Sequence, residues 1–190
     1  MKKDNYIIKS LNGMAYGFFC SLIIGTIFKQ IGNFANISQL VAWGEVATYL
    51  MGPAIGAGIA YAIDAKGLNL IAAVIAGTIG AGTFNGNTAT TGNPIAAFVA
   101  VIIAVEVTRL VQGKTPVDIL LVPFTSIIVA GIVTIFIGPY ITKLIVWIGD
   151  LINQGVNMQP FFMSIVVAVL MGMALTAPIS SAAIGVMLGL

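Results

Sequence analysis

The chain has 190 residues, of which 59% are apolar and only 7% charged, against about 25% charged in an ordinary soluble domain. A water-facing surface cannot be built from so few charges, and a net charge of +2 with no basic run beyond Lys2 and Lys3 lacks the electrostatic footprint of a nucleic-acid binder. With no histidine and Cys20 as the single cysteine, the chain offers no Ser-His or Cys-His nucleophile, no intrachain disulfide and no paired-cysteine metal site, so no catalytic residue, metal ligand or cofactor is expected.

A helix of about 20 apolar residues crosses a hydrocarbon layer of about 30 Å, and uncharged runs near that length recur along the chain. The first is Leu11 to Phe28, flanked by Lys9 and Lys29; it is read as a retained span, because no small-x-small cleavage signal follows it. The second, Leu40 to Ile63, is interrupted only by Glu45 and closes on the charged turn 64–67. Pro53 beside Gly52 and Gly56 should kink it. The third runs from Leu68 to Phe84. An uncharged stretch rich in amides, hydroxyls and glycine follows, Asn85 to Pro94, which must be a loop or a broken helix. The fourth span runs from Ile95 to about Leu110. The polar turn Gln112 to Asp118 leads to the fifth, Ile119 to Ile137, which Gly138 and Pro139 stop.

From Ile141 to Gln154 the pattern changes. Ile141, Leu144, Ile145, Ile148, Leu151 and Ile152 follow helical spacing, while Lys143, Asp150 and Asn153 take the other side. This is an amphipathic helix lying along the interface or against other helices. A sixth span covers Phe161 to Leu175, Pro178 breaks it, and Ile179 to Leu190 is apolar again. The expected fold is all-α: a polytopic transmembrane bundle of six to seven spans with one amphipathic interfacial helix. It forms one membrane domain over 1–190, divided into a five-span bundle over 1–139, the amphipathic helix over 140–154 and further spans over 160–190. Because the last run stops halfway into a span, the chain is expected to be the N-terminal part of a longer one. Six cations on the segments that share the N-terminal side against two on the others predict a cytoplasmic N-terminus. Small residues four apart, Gly13 with Gly17, Gly52 with Gly56 and Gly185 with Gly189, are read as helix packing contacts.

Ionisable groups inside a membrane cost about 2.5–3.5 kcal/mol on insertion scales, so Glu45 and Glu106 invite a functional reading. Glu106 has Arg109 at i+3, where the two can pair on one helix face. Glu45 has no partner nearby in sequence, and is either a polar, substrate-binding site in the bundle or an interface position. Asn85, Asn87, Thr88, Thr91 and Asn93 concentrate amides and hydroxyls without charge, the groups that hydrogen-bond a neutral polyol such as a sugar. The stretch either lines a cavity at membrane depth, since lipid-exposed irregular backbone is forbidden there, or forms an outer hairpin loop. Its glycines make neither a P-loop nor a dinucleotide fingerprint.

The stretch 113–123 (Gly-Lys-Thr-Pro-Val-Asp-Ile-Leu-Leu-Val-Pro), with Gly138-Pro139, Gln159-Pro160-Phe161, Leu170-Met171-Gly172-Met173 and the run from Thr176-Ala177-Pro178 to Ile184, resembles the membrane-embedded IIC-like subunits of the sugar phosphotransferase system, in particular the PfoR-type branch. The resemblance implies a multi-pass plasma-membrane subunit that translocates a sugar. It also implies a homodimer in the lipid bilayer, served by cytoplasmic phosphotransferase subunits that carry out any phosphorylation. In better-known members the first five spans form much of the dimer contact, an amphipathic helix follows, and Ile141 to Gln154 falls at the matching place. Those members use a His and a Glu at the sugar, whereas this chain has no His. Two other readings stand beside this one. A PfoR-type regulator without transport predicts a sealed bundle with cytoplasmic turns 64–67 and 112–118 as binding surfaces, and a cation-coupled carrier requires Glu45 and Glu106 to share an interior site.

Overall fold

The computed structural model describes residues 3–82, 84–85, 88–89, 93–114, 116–144, 146–147, 150, 164–165 and 168–169. The chain opens as one long helix: α1 (Lys3–Phe18), a π-helical segment (Phe19–Ile23) and α2 (Ile24–Ala35). Its apolar part, Tyr6–Ala35, has 30 residues, about 45 Å. The helix does not end near Lys29 as expected, because a lone lysine is no stop signal. It ends at Asn36, whose left-handed backbone (φ 54°) turns the chain, with the Ile37 amide donating to the Gly32 carbonyl at 2.9 Å.

The return run is broken in two, α3 (Ser38–Tyr49) and α4 (Met51–Ala62), with Leu50 between them. Pro53 explains the position. It has no N–H for the Tyr49 carbonyl and its ring would collide with that carbonyl, so a helix can restart with Pro53 in its first turn but cannot run through it. Asp64 and Gly67, both at positive φ, carry the chain into α5 (Leu68–Ala81). Gly82 (φ 68°) ends α5 three residues earlier than the apolar run suggested. A two-residue antiparallel ladder follows, β1 (Phe84–Asn85) with β2 (Thr88–Ala89). Next come α6 (Pro94–Val111) and α7 (Asp118–Phe136), both within about a residue of the spans read from sequence.

The α1 helix lies antiparallel on α4, α4 on α5 and α5 on α6, while α7 packs on α6 and runs parallel to α5; α2 packs on α3. The side chains at the centre are Phe18, Met51, Ile55, Ile59, Val101 and Val105, all essentially inaccessible. Around them the backbones approach closely through small residues. A Cβ at Gly17 would collide with the Ala54 carbonyl, one at Gly13 with that of Gly58, and one at Gly56 with that of Ala73. The spacing seen at Gly13/Gly17 and Gly52/Gly56 thus builds the α1–α4 and α4–α5 contacts, while Gly185 and Gly189 lie outside the described residues. Outward-facing side chains are large and apolar, among them Phe34, Trp43, Leu120, Phe124 and Ile135, which suits lipid rather than water.

Three helices are long and apolar enough to cross a membrane, Tyr6–Ala35, Pro94–Val111 and Asp118–Phe136, with α5 as a shorter apolar helix. The protein is a helical membrane protein. Residues 138–144 and 146–147 are helical, and Leu144, Val146 and Trp147 are exposed. The rest of the amphipathic segment and the spans expected from Phe161 onward lie outside the described residues, save five helical positions (150, 164–165 and 168–169).

Replacing Gly56 by valine forces side-chain carbons into the α5 backbone and is expected to lower stability by about 3 kcal/mol. Gly131 on α7 has no atom within 4 Å of where its Cβ would stand, so Gly131→Ala is expected to be neutral or slightly stabilising. Thermal unfolding of the two variants in one detergent checks both, and equal transition temperatures would refute the close-packing account.

Candidate functional site at the loop end of the bundle

The bundle has two chemically different ends. At the N-terminal end the ionic groups converge. Glu106 Oε1 accepts from the Tyr6 hydroxyl at 2.5 Å and from Arg109 Nη1 at 2.8 Å, and Arg109 Nη2 donates to the Ile63 carbonyl at 2.5 Å. Arg109 therefore serves α6 and the C-terminus of α4 together, where a cation also meets the negative end of the helix dipole. Lys9 lies 3.7 Å from Asp64 on the rim. Just inside, the buried Asn69 accepts from Thr108 through Oδ1 and donates to Gln112 through Nδ2 at 2.9 Å, tying α5 to α6.

The opposite end has amides and hydroxyls. The Asn93 backbone N–H donates to the Ala81 carbonyl at 2.9 Å, so the loop leaves and returns at one level. The Asn93 side chain accepts from the amides of Ile95 and Ala96 at 3.0 and 3.1 Å, capping α6 ahead of Pro94, while its Nδ2 donates to Thr142 Oγ1 at 3.3 Å. This N-cap is the reason α6 begins where it does. Along the length of α5, Ser126 and Thr134 on α7 donate to the Ala72 and Ile79 carbonyls at 3.1 and 3.4 Å, the second of these near the loop. Hydroxyls bonded to helix carbonyls in this way hold neighbouring helices where there is no water to compete.

Of the residues singled out in the loop, Asn93 has both ends of its amide engaged, Asn85 and Thr88 pair across the ladder through their backbones, and Asn87 and Thr91 lie outside the described residues. Glu45 is exposed on α3, which packs on α2, the π segment and the start of α4, so this packing does not carry it to the loop. Glu106 is at the other end of the bundle, bonded to Tyr6 and Arg109. The two carboxylates share no interior site, so the geometric requirement of a cation-coupled carrier is not met. Among the described residues no three His, Cys, Asp or Glu side chains gather as metal ligands would. Sequence spacing pointed to Arg109 as a partner of Glu106, but Tyr6 and the Ile63 carbonyl, 100 and 46 positions from their partners, leave no local signal.

Residues 8–190 match the family described as Phosphotransferase system, EIIC. The chain belongs to that family. No curated protein and no solved structure matches it. As an EIIC protein it is a membrane component of a phosphotransferase system. The EIIC match covers the loop, the described helices from residue 8 onward and Glu106 and Arg109, so both ends of the bundle lie largely within an EIIC domain.

Because Arg109 joins two helices and Glu106 pairs largely at the surface, Arg109→Met is expected to lower stability by about 1–2 kcal/mol and Glu106→Gln by less than about 1 kcal/mol. Unfolding in a mild detergent measures both, and an Arg109 variant no weaker than the Glu106 variant would show that the Ile63 carbonyl contact contributes nothing.

Proposed function

We propose that this EIIC protein translocates a sugar across the plasma membrane, with the N-terminal end of the bundle facing the cytoplasm. In this reading the loop 85–93 contributes to the sugar path, with Asn85, Asn87, Thr88 and Thr91 as the contacting residues and Asn93 as the anchor. Cytoplasmic phosphotransferase subunits supply the phosphoryl group, and the protein works as a homodimer.

The observation that carries the loop's part is its depth. Lys9 and Asp64 meet at the N-terminal rim. On the same long helix Lys29 lies about 20 residues further on, or about 30 Å, which is the thickness of the hydrocarbon core. It stands beside Gly44 and hence at the level of Glu45. In this reading the two charged levels bound the hydrocarbon core, and the exposed Ile31 and Phe34, up to about 8 Å beyond the second level on the same helix, lie in the headgroup layer. Between them α4, with 12 residues, and α5, with 14, cover only about 18 and 21 Å, so Gly82 and the loop start about 10 Å short of the second level. Irregular backbone at that depth has to be covered by protein or to line water, and uncharged amides and hydroxyls beside such water suit a neutral polyol. An outer hairpin loop clear of the membrane would have no such need.

The test is uptake and binding of a panel of radiolabelled sugars by the full chain in proteoliposomes, with and without the general phosphocarrier proteins. Saturable uptake that depends on the phosphocarriers is expected, and Asn87→Ala with Thr91→Ala should weaken sugar binding about tenfold, the loss of one or two hydrogen bonds. A cysteine at position 87 should react with a membrane-impermeant maleimide and be protected by the transported sugar. No binding and no uptake of any sugar would leave a membrane-bound regulator as the better account.

A further inference from the structure

The long N-terminal helix and its return strand are each interrupted once, and at the same level. On the outgoing side the interruption is the π segment Phe19–Ile23, where the Ile24 amide reaches back to the Phe19 carbonyl. Ser21 and Thr26 donate their hydroxyls to the Gly17 and Leu22 carbonyls, each at 2.7 Å, partners of a kind that accompanies helix bending. On the return side the interruption is Leu50, enforced by Pro53. The π segment packs against both α3 and α4, so the two irregular points face each other.

On either side of this level the helix pairs are separately locked. Below it, α1 and α4 close through Gly13 against Gly58 and Gly17 against Ala54. Above it, α2 and α3 close through Gly25 against Gly44 and Gly32 against Val41. The lower pair is held by α5 and α6. The upper pair packs on itself and on the π segment, with its substantial contacts stopping there and at the start of α4. Its buried residues are glycines, Gly25, Gly32 and Gly44, while Ile24, Ile27, Ile31, Phe34, Trp43 and Val46 face outward.

From these observations we propose that the α2–α3 hairpin is a rigid arm that swings on a two-strand hinge formed by Phe19–Ile23 and Leu50. The hinge lies against the end of α5 from which the polar loop departs, because Gly52 packs on Gly77 and Ala81. A swing of the arm therefore changes the cover over that end of the bundle. The motion itself stands independently of the sugar reading; only its use as a gate on a sugar path rests on it. Non-α backbone on both strands removes the rigid ladder that would resist bending, and each locked pair moves as one body. The arm is about 18 Å long, so a rotation of about 20°, the size of an ordinary kink, displaces its tip by about 6 Å.

Spin labels on cysteines at positions 34 and 110, in the full chain with Cys20→Ala and in lipid nanodiscs, measure the arm against the bundle; labels at 110 and 135 give a reference within the bundle. The 34–110 distances are expected to be broader than the 110–135 distances, or two-component. Pro53→Ala, which lets α3 run into α4, is expected to narrow them while leaving the reference pair unchanged. A 34–110 distribution as narrow as the reference overturns the proposal, and so does a broad one that Pro53→Ala leaves unaltered. Neither outcome depends on sugar, so failure of the hinge and failure of the transport reading are separately visible.

Discussion

Backbone approach at small residues is the contact on which the rest of this bundle depends. In lipid the apolar side chains gain little by facing one another rather than acyl chains, so helices associate where their surfaces fit closely and where stray hydroxyls find carbonyls. Here α4 is flanked on both sides by such contacts, Gly58 and Ala54 toward α1, Gly52 and Gly56 toward α5. A helix of only 12 residues can occupy the centre because its backbone sits against two neighbours and its own large residues, Ile55 and Ile59, are inaccessible. The shortness of α4 and α5 in turn sets the level at which Leu50 and Gly82 fall, and so the depth of everything that follows from them.

Much of this was legible in the sequence, and the parts that were not share a cause. Span ends marked by side-chain chemistry were read closely. Asn93 and Pro94 open α6, and Asp118 opens α7 while its carboxylate accepts from the Gly113 amide across the turn. Ends marked by backbone conformation were read less well. Gly82 ends α5 inside an apolar run, and the long helix runs past Lys29 to a left-handed Asn36. Hydropathy is blind to both, because a lipid-facing residue and a residue at a helix end score alike. The kink at Pro53 was visible, but the π segment opposite it was not, since Phe-Cys-Ser-Leu-Ile has no composition that distinguishes it from an ordinary turn of helix.

The candidate residues divide in the same way. The spacing of Glu106 and Arg109 on one helix is a local signal, and the pair forms. What gives the pair its consequence is nonlocal: Tyr6 arrives from α1 and the Ile63 carbonyl from the end of α4. An arginine with one arm on a carboxylate and the other on a helix terminus is a tie between elements, a role that neither span reveals alone. Asn93 was read as one polar group among several in a loop, yet its amide caps a helix and reaches Thr142. A residue so engaged positions the loop, which leaves its neighbours as the candidates for contact with a ligand.

The contrast between the two ends bears on the kind of solute the bundle suits. At the N-terminal end Lys9 pairs with Asp64 and Arg109 with Glu106 and the Ile63 carbonyl, in an arrangement that holds helix ends together at a water boundary. At the loop end amides and hydroxyls predominate. A charged solute passing that end would need countercharge, and the described loop residues carry none; a neutral polyol needs only donors and acceptors at hydrogen-bond spacing, which asparagine and threonine supply. Deeper than the second charged level the cost of leaving those groups unpaired rises, so they require either a protein cover or a wet path with a polar occupant. The α2–α3 arm, hinged against the end of α5 and so short of that level, is the described element whose displacement would change which of these two conditions holds.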